Sequence, residues 1–161
     1  MLIWAGAASA LIVPKESIAG IELRMTRAEV KEKKGQPDRI VHGSNDLGPW
    51  TEFIYRNAVG KGKVKVKATF QVDPNVTWVS TNRKGQKTAE GIHVGSPESA
   101  LHDAYPRLHC TTFGGVFRHC WTGHMSGPKA GRVTSYRIEI ETARVKRITV
   151  TAHSAMLFLI Y

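Results

Sequence analysis

Displaced by 71 residues, part of this chain lies over itself. Gly20-Ile21-Glu22-Leu23-Arg24-Met25-Thr26 falls on Gly91-Ile92-His93-Val94-Gly95-Ser96-Pro97, and Val30 falls on Leu101. A period of that size is the mark of one supersecondary unit used twice. It constrains architecture far more than activity, because no catalytic or cofactor signature appears at comparable strength. A chain of 161 residues holds one ordinary domain, or two small halves sharing a core, and leaves little room for two independent domains.

Local signals place the units at 18–81 and 88–161, joined by a polar, basic linker at 82–87 and preceded by an N-terminal segment at 1–17. Thr26-Arg27-Ala28-Glu29 has the form of a capping box, in which the hydroxyl accepts from an orphan backbone N–H and the carboxylate reaches back. It predicts a helix over 27–34, stopped by Gly35 and Pro37. Only Met25, Ala28 and Val30 can pack from it. Strand signals follow at 50–55, 64–72 and 76–81. The middle one is the clearest, with Val66, Ala68 and Phe70 alternating against Lys65, Lys67 and Thr69. In the second unit Ser96 is placed to cap a helix whose first position is Pro97. Ala100, Leu101, Ala104, Tyr105 and Leu108 form its apolar stripe. Strands are expected at 116–121, 132–141 and 145–152. The fold class predicted is α+β: two tandem helix plus antiparallel-sheet repeats, with the helices packed on one face of the sheet.

The first ten residues are apolar and end in Ala8-Ser9-Ala10, a pattern that precedes signal-peptide cleavage, although no Lys or Arg comes before them. The segment reads as a signal-peptide remnant or as a buried N-terminal strand. It falls far short of the ~20 residues of a membrane span. Cys110 and Cys120 are the only cysteines, and an even count in an exported chain points to one disulfide. A metal site built from those two with His109, His119 and His124 lacks the close paired spacing of structural zinc sites. No cofactor is implied.

The hexad Met25-Thr26-Arg27-Ala28-Glu29-Val30, its Gly-Ile lead-in and the helix-then-meander order resemble the tandem-repeat fold of β-lactamase inhibitor proteins. They also resemble exported BamE/SmpA-like domains and their actinobacterial relatives. The likeness covers most of the chain from Ile18 to Ala152, and the inhibitors also carry a disulfide-bonded pair after their second helix. Three departures limit what carries over, one being that no cysteine pair follows the first helix. Arg24 stands where the family has Gly before Met-Thr, a glycine that Gly95 keeps. The family's first-repeat strand presents tyrosines beside an acidic plug residue, whereas here the plug position falls at Lys63 and the outward residues are Lys65 and Lys67. Cations in place of an anion and aromatic rings remove the complementarity an inhibitory interface needs. Inhibition of β-lactamases is therefore the least supported function.

Catalysis has little to stand on: the seven histidines are scattered, no Ser sits in a nucleophile elbow, and pairing of Cys110 with Cys120 would remove the thiol that His109 could serve. The chain is read as a non-enzyme. Its 23 Lys plus Arg against 13 Asp plus Glu give +10, which favours acidic partners. The expected role is a protein-interaction or envelope-associated binding module, extracellular or in the cell envelope. Lys61, Lys63, Lys65, Lys67, Trp78 and Trp121 form the candidate surface, for another protein or an anionic envelope component. Binding of nucleic acid or another anionic polymer is the alternative. The competing explanation of the lysines is that they guard a strand edge against association.

Overall fold

The computed structural model describes residues 12–56, 66–71, 74–124 and 131–152. In chain order the elements are β1 (Ile12–Val13), β2 (Ser17–Ile18), β3 (Ile21–Glu22), α1 (Arg27–Lys34), β4 (Arg39–Asn45), β5 (Gly48–Tyr55), β6 (Val66–Gln71) and β7 (Val76–Thr81). After them come α2 (Glu98–Ala104), β8 (His109–Phe113), β9 (Phe117–Thr122), β10 (Val133–Glu139) and β11 (Arg144–Thr151). The apolar N-terminal stretch, the C-terminal tail and Lys61, Lys63 and Lys65 lie outside the described residues.

The capping box starts α1 as its sequence requires. Thr26 Oγ1 accepts from Glu29 N at 3.2 Å, and Glu29 Oε2 accepts from Thr26 N at 2.7 Å. Those bonds favour the charged carboxylate and hold Glu29 below its usual pKa. Gly35 closes the helix at φ 79°, a conformation that favours glycine. In α2, Pro97 occupies the position before the first helical residue, and Ser96 Oγ accepts from His93 N at 3.0 Å instead of capping the helix. The apolar stripe is cut short, because α2 ends at Ala104 and leaves Tyr105 and Leu108 beyond it.

Eight strands form one antiparallel sheet in the order β4-β5-β6-β7-β11-β10-β9-β8, and β1-β2-β3 form a second, small sheet. Every neighbour in the large sheet is also a neighbour in sequence except at the β7–β11 seam, where Thr81 faces Ile148 and Trp78 faces Thr151. One face of the large sheet is the core face. Phe53, Tyr55, Ala68, Phe70, Tyr136 and Ile148 pack there against Ile12, Ile18, Ile21, Val30, Val94 and Leu101.

This arrangement corrects the predicted fold class. About half of the described residues lie in strands and about one in eight in helices, so the protein is mostly β, built from two antiparallel sheets. The reason is coverage. Eight strands at ~4.8 Å spacing make a surface about 34 Å wide, whereas each helix is about 10 Å across and fully buries one side chain, Val30 or Leu101. Such a side chain contributes about 1.5–3 kcal/mol, too little to close the face alone. Ile12, Ile18 and Ile21 of the small sheet, together with Ile92, Val94 and the partly buried Met25, Tyr105 and Leu108, add to the cover.

The segments that echo one another in sequence do share backbone geometry. Gly20 and Gly91 lie at φ 74° and 85°, and Arg24 and Gly95 at φ 75° and 103°. Arg24 N donates to Val76 O and Val76 N to Met25 O, at 2.9 and 2.7 Å. Gly95 N donates to Val145 O and Val145 N to Ser96 O, at 2.8 and 2.9 Å. The likeness is local: Ile21–Glu22 is a strand of the small sheet, while Ile92 and Val94 flank a single bridge at His93.

Candidate functional site

Side chains alternate across a strand, so the residues between the core positions share the opposite, open face of the large sheet. Register then lines them up in rows. One row runs Ile54, Lys67, Ser80, Thr149, Ser135, Trp121 and His109 across seven strands. A second places Arg147, Arg137, His119 and Thr111 side by side. A third, on the other flank, holds Glu52, Thr69, Trp78, Thr151 and Val133. Trp50 joins the same face, lying over Gly43, where any β-carbon would collide with the indole ring.

Small side chains lie at the centre of these rows and long ones around them. Ser80, Thr149 and Ser135 are buried between their neighbours. Two cavities open beside this floor. One, of about 270 Å³, is lined by Asn82, Phe117, Arg137, Glu139, Lys146 and Arg147, with Val116 at its rim. The other, of about 190 Å³, is lined by Lys67, Ser80, Thr81, Asn82 and Arg147. Asn82 and Arg147 line both, so the two lie side by side as a polar cleft divided by these residues.

The charges in the cleft are unevenly matched. Lys67 Nζ lies 2.8 Å from Glu52 Oε2, and Lys146 Nζ lies 2.8 Å from Glu139 Oε2. Lys146 is the extra residue of a β-bulge, since Arg137 faces Arg147 while Ile138 faces Val145. Arg137 and Arg147 are direct cross-strand neighbours, and neither forms an ion pair among the described residues. Arg137 stacks over the Phe117 ring, 4.2 Å from its centroid. Burial, then the charge of Arg137, push the Arg147 pKa down, with Glu52 acting in the other direction. Burial and Arg137 likewise push His119 down to about 4, so its imidazole is neutral at pH 7. Rings continue towards β8: His109 and Trp121 stack at 5.7 Å, Phe113 and Phe117 at 5.5 Å.

Of the residues singled out in the sequence, Lys67, Trp78 and Trp121 meet on this face. Lys67 is tied to Glu52, Trp78 is only 8 % exposed, and Trp121 is half-buried. Cys110 and Cys120 form a disulfide between directly opposed residues of β8 and β9. It lies on the core face near Glu98, opposite His109 and His119, so these side chains do not converge on one metal position. Arg137, Arg147 and Asn82 were not expected. The alternation of Val133–Glu139 carried a signal for Arg137, but the register that sets it against Arg147 depends on the turn at 140–143. The cleft offers planar hydrogen-bond donors, aromatic faces and hydroxyls. No helix among the described residues is long and apolar enough to cross a membrane.

No family model matches the chain, and no curated protein matches its sequence. Among solved structures it is similar to a cysteine-rich secretory protein from Staphylococcus aureus, with TM-score 0.55 and 10 % identity over 89 % of this chain and 48 % of the other. It is also similar to an extracellular protein containing an SCP domain from Bacillus anthracis, with TM-score 0.52 and 10 % identity over 84 % and 45 %. The chain thus spans about half the length of these neighbours, and at such identity the likeness concerns the fold alone. A candidate β-lactamase inhibitor protein from Streptococcus mutans aligns with TM-score 0.35 and 11 % identity over 79 % and 82 %. That likeness is too weak to carry the inhibitor resemblance further, and nothing supports the BamE-like or actinobacterial part of it.

Proposed function

We propose that this chain is an exported, non-catalytic binding module, extracellular or associated with the envelope, whose working surface is the open face of the eight-stranded sheet. Its partner is a protein with an acidic patch. The observation that carries this reading is the convergence of Arg137, Arg147 and Lys67 with Trp121 and Phe117 on that one face. Arginine and large aromatics are the side chains that most often anchor protein interfaces. Export is supported by the disulfide, which persists in oxidising compartments, and by fold neighbours described as secretory and extracellular.

A protein partner fits better than nucleic acid. Glu52 and Glu139 sit among the cations of the cleft, whereas binding to a phosphate backbone rests on an unbroken positive stripe. The test is capture of acidic proteins from the native exported fraction by the intact chain and by two variants. Arg137→Glu with Arg147→Glu should release the captured protein, and Lys33→Glu on α1 should retain it. Retention by the double variant would remove the open face as the binding surface, and recovery of nucleic acid alone would favour the rival partner class.

A further inference from the structure

We propose that Arg137 and Arg147 together form a receptor for one oxyanion group, a carboxylate or phosphate held between two guanidinium forks in the cleft shared by β7, β11 and β10. The inference rests on the open-face reading above and names the chemistry of its anchor point. Like charges placed directly opposite in a sheet are destabilising, and the register of β10 on β11 makes these two arginines such a pair. The other two cations of the cleft are treated differently. Lys67 and Lys146 each have a carboxylate at 2.8 Å, whereas among the described residues no carboxylate forms an ion pair with Arg137 or Arg147, Glu52 acting on Arg147 only from farther off, and both arginines line the cavity. An anion between them converts the repulsion into two charge-assisted contacts, and the planar fork of arginine suits a carboxylate or phosphate.

The surroundings favour the same occupant. The Phe117 ring beneath Arg137 fixes the guanidinium in position, and a stacked guanidinium keeps its N–H groups in its own plane for hydrogen bonds. Arg147 lines both cavities, whose volumes of about 270 and 190 Å³ give ample room for one oxyanion. The site is partly withdrawn from water, which strengthens a charge–charge contact. His119, beside Arg137 in the register, serves as a built-in reporter. A bound anion would offset the charge that disfavours its protonation, so its titration midpoint would rise.

The experiment follows arginine side-chain and His119 NMR signals of the full chain during titration with inorganic phosphate, and separately with hexaglutamate, at ionic strength held constant with chloride. Expected are saturable shifts at Arg137 and Arg147 and an upward move of the His119 midpoint. Arg147→Gln should abolish them. Arg137→Lys, which keeps the charge and loses the fork, should weaken binding at least tenfold while leaving the backbone spectrum native. Shifts that fail to saturate, that chloride reproduces, or that survive in Arg147→Gln would overturn the receptor. Saturation by hexaglutamate supports a partner's acidic side chain as the occupant; saturation by phosphate alone retains the receptor but removes that occupant. If neither probe binds and the double charge reversal still releases a captured protein, the receptor falls and the open-face surface stands.

Discussion

His119 sits opposite Arg137 and is only 4 % exposed, so protonating it adds a charge in a poorly solvated place beside a guanidinium. Its folded pKa of about 4 lies below the unfolded value of 6.5, with burial the larger cause and Arg137 the second. Between those values the unfolded chain binds the proton and the folded chain does not. Its contribution is therefore fully present above pH 6.5 and lost as pH falls towards 4, a swing of up to about 3 kcal/mol. Urea unfolding at pH 7 and pH 4.5 should show His119→Asn losing less stability on acidification than the unsubstituted protein. An equal loss in both would show that this imidazole is not the group responsible. Other residues illustrate how far single positions can be read. Thr26 and Glu29 announced their mutual hydrogen bonds because the partners are three residues apart. The Lys67 contact with Glu52 spans two strands, and no local pattern discloses it.

The outer hairpin of β8 and β9 is held at its edge by the bridge between Cys110 and Cys120. β8 pairs with β9 alone, so one side of that hairpin has no strand to hold it. Joining cysteines ten positions apart in sequence contributes about 2–3 kcal/mol by the chain-entropy estimate. A Cys110→Ser, Cys120→Ser double variant should lose about that much in urea unfolding and exchange the amides of β8 faster than those of β6. Unchanged stability would mean that strand pairing already restricts this loop. The sheet's two edge strands, β4 and β8, are also the ones the sequence did not disclose. Both are largely exposed along their length, so neither carries the apolar alternation that made β6 plain and placed β5, β7, β9, β10 and β11 to within a few residues.

Across the whole molecule, the two faces of the large sheet divide the labour: one closes the core and the other carries the cleft. The sequence pointed to both helices but not to how little they bury, and strands of two residues such as β1, β2 and β3 are too short to show a period. This is why the sequence suggests α+β while it discloses many of the elements. The β7–β11 seam has a consequence for assembly. All other pairings in the large sheet join strands adjacent in sequence and can form as local hairpins, whereas the seam unites strands separated by α2 and three strands, a non-local step that comes late. Ile12 N donating to Lys87 O and Lys15 N to Thr134 Oγ1 add to that closure. A protease site inserted at 83–84 and then cut should leave a two-chain protein whose halves coelute in gel filtration at neutral pH and whose urea midpoint rises with protein concentration. Halves that part on cutting would show that the seam depends on the covalent link. If they stay together, the seam is in effect a subunit interface, and the molecule a heterodimer that happens to be encoded as one chain.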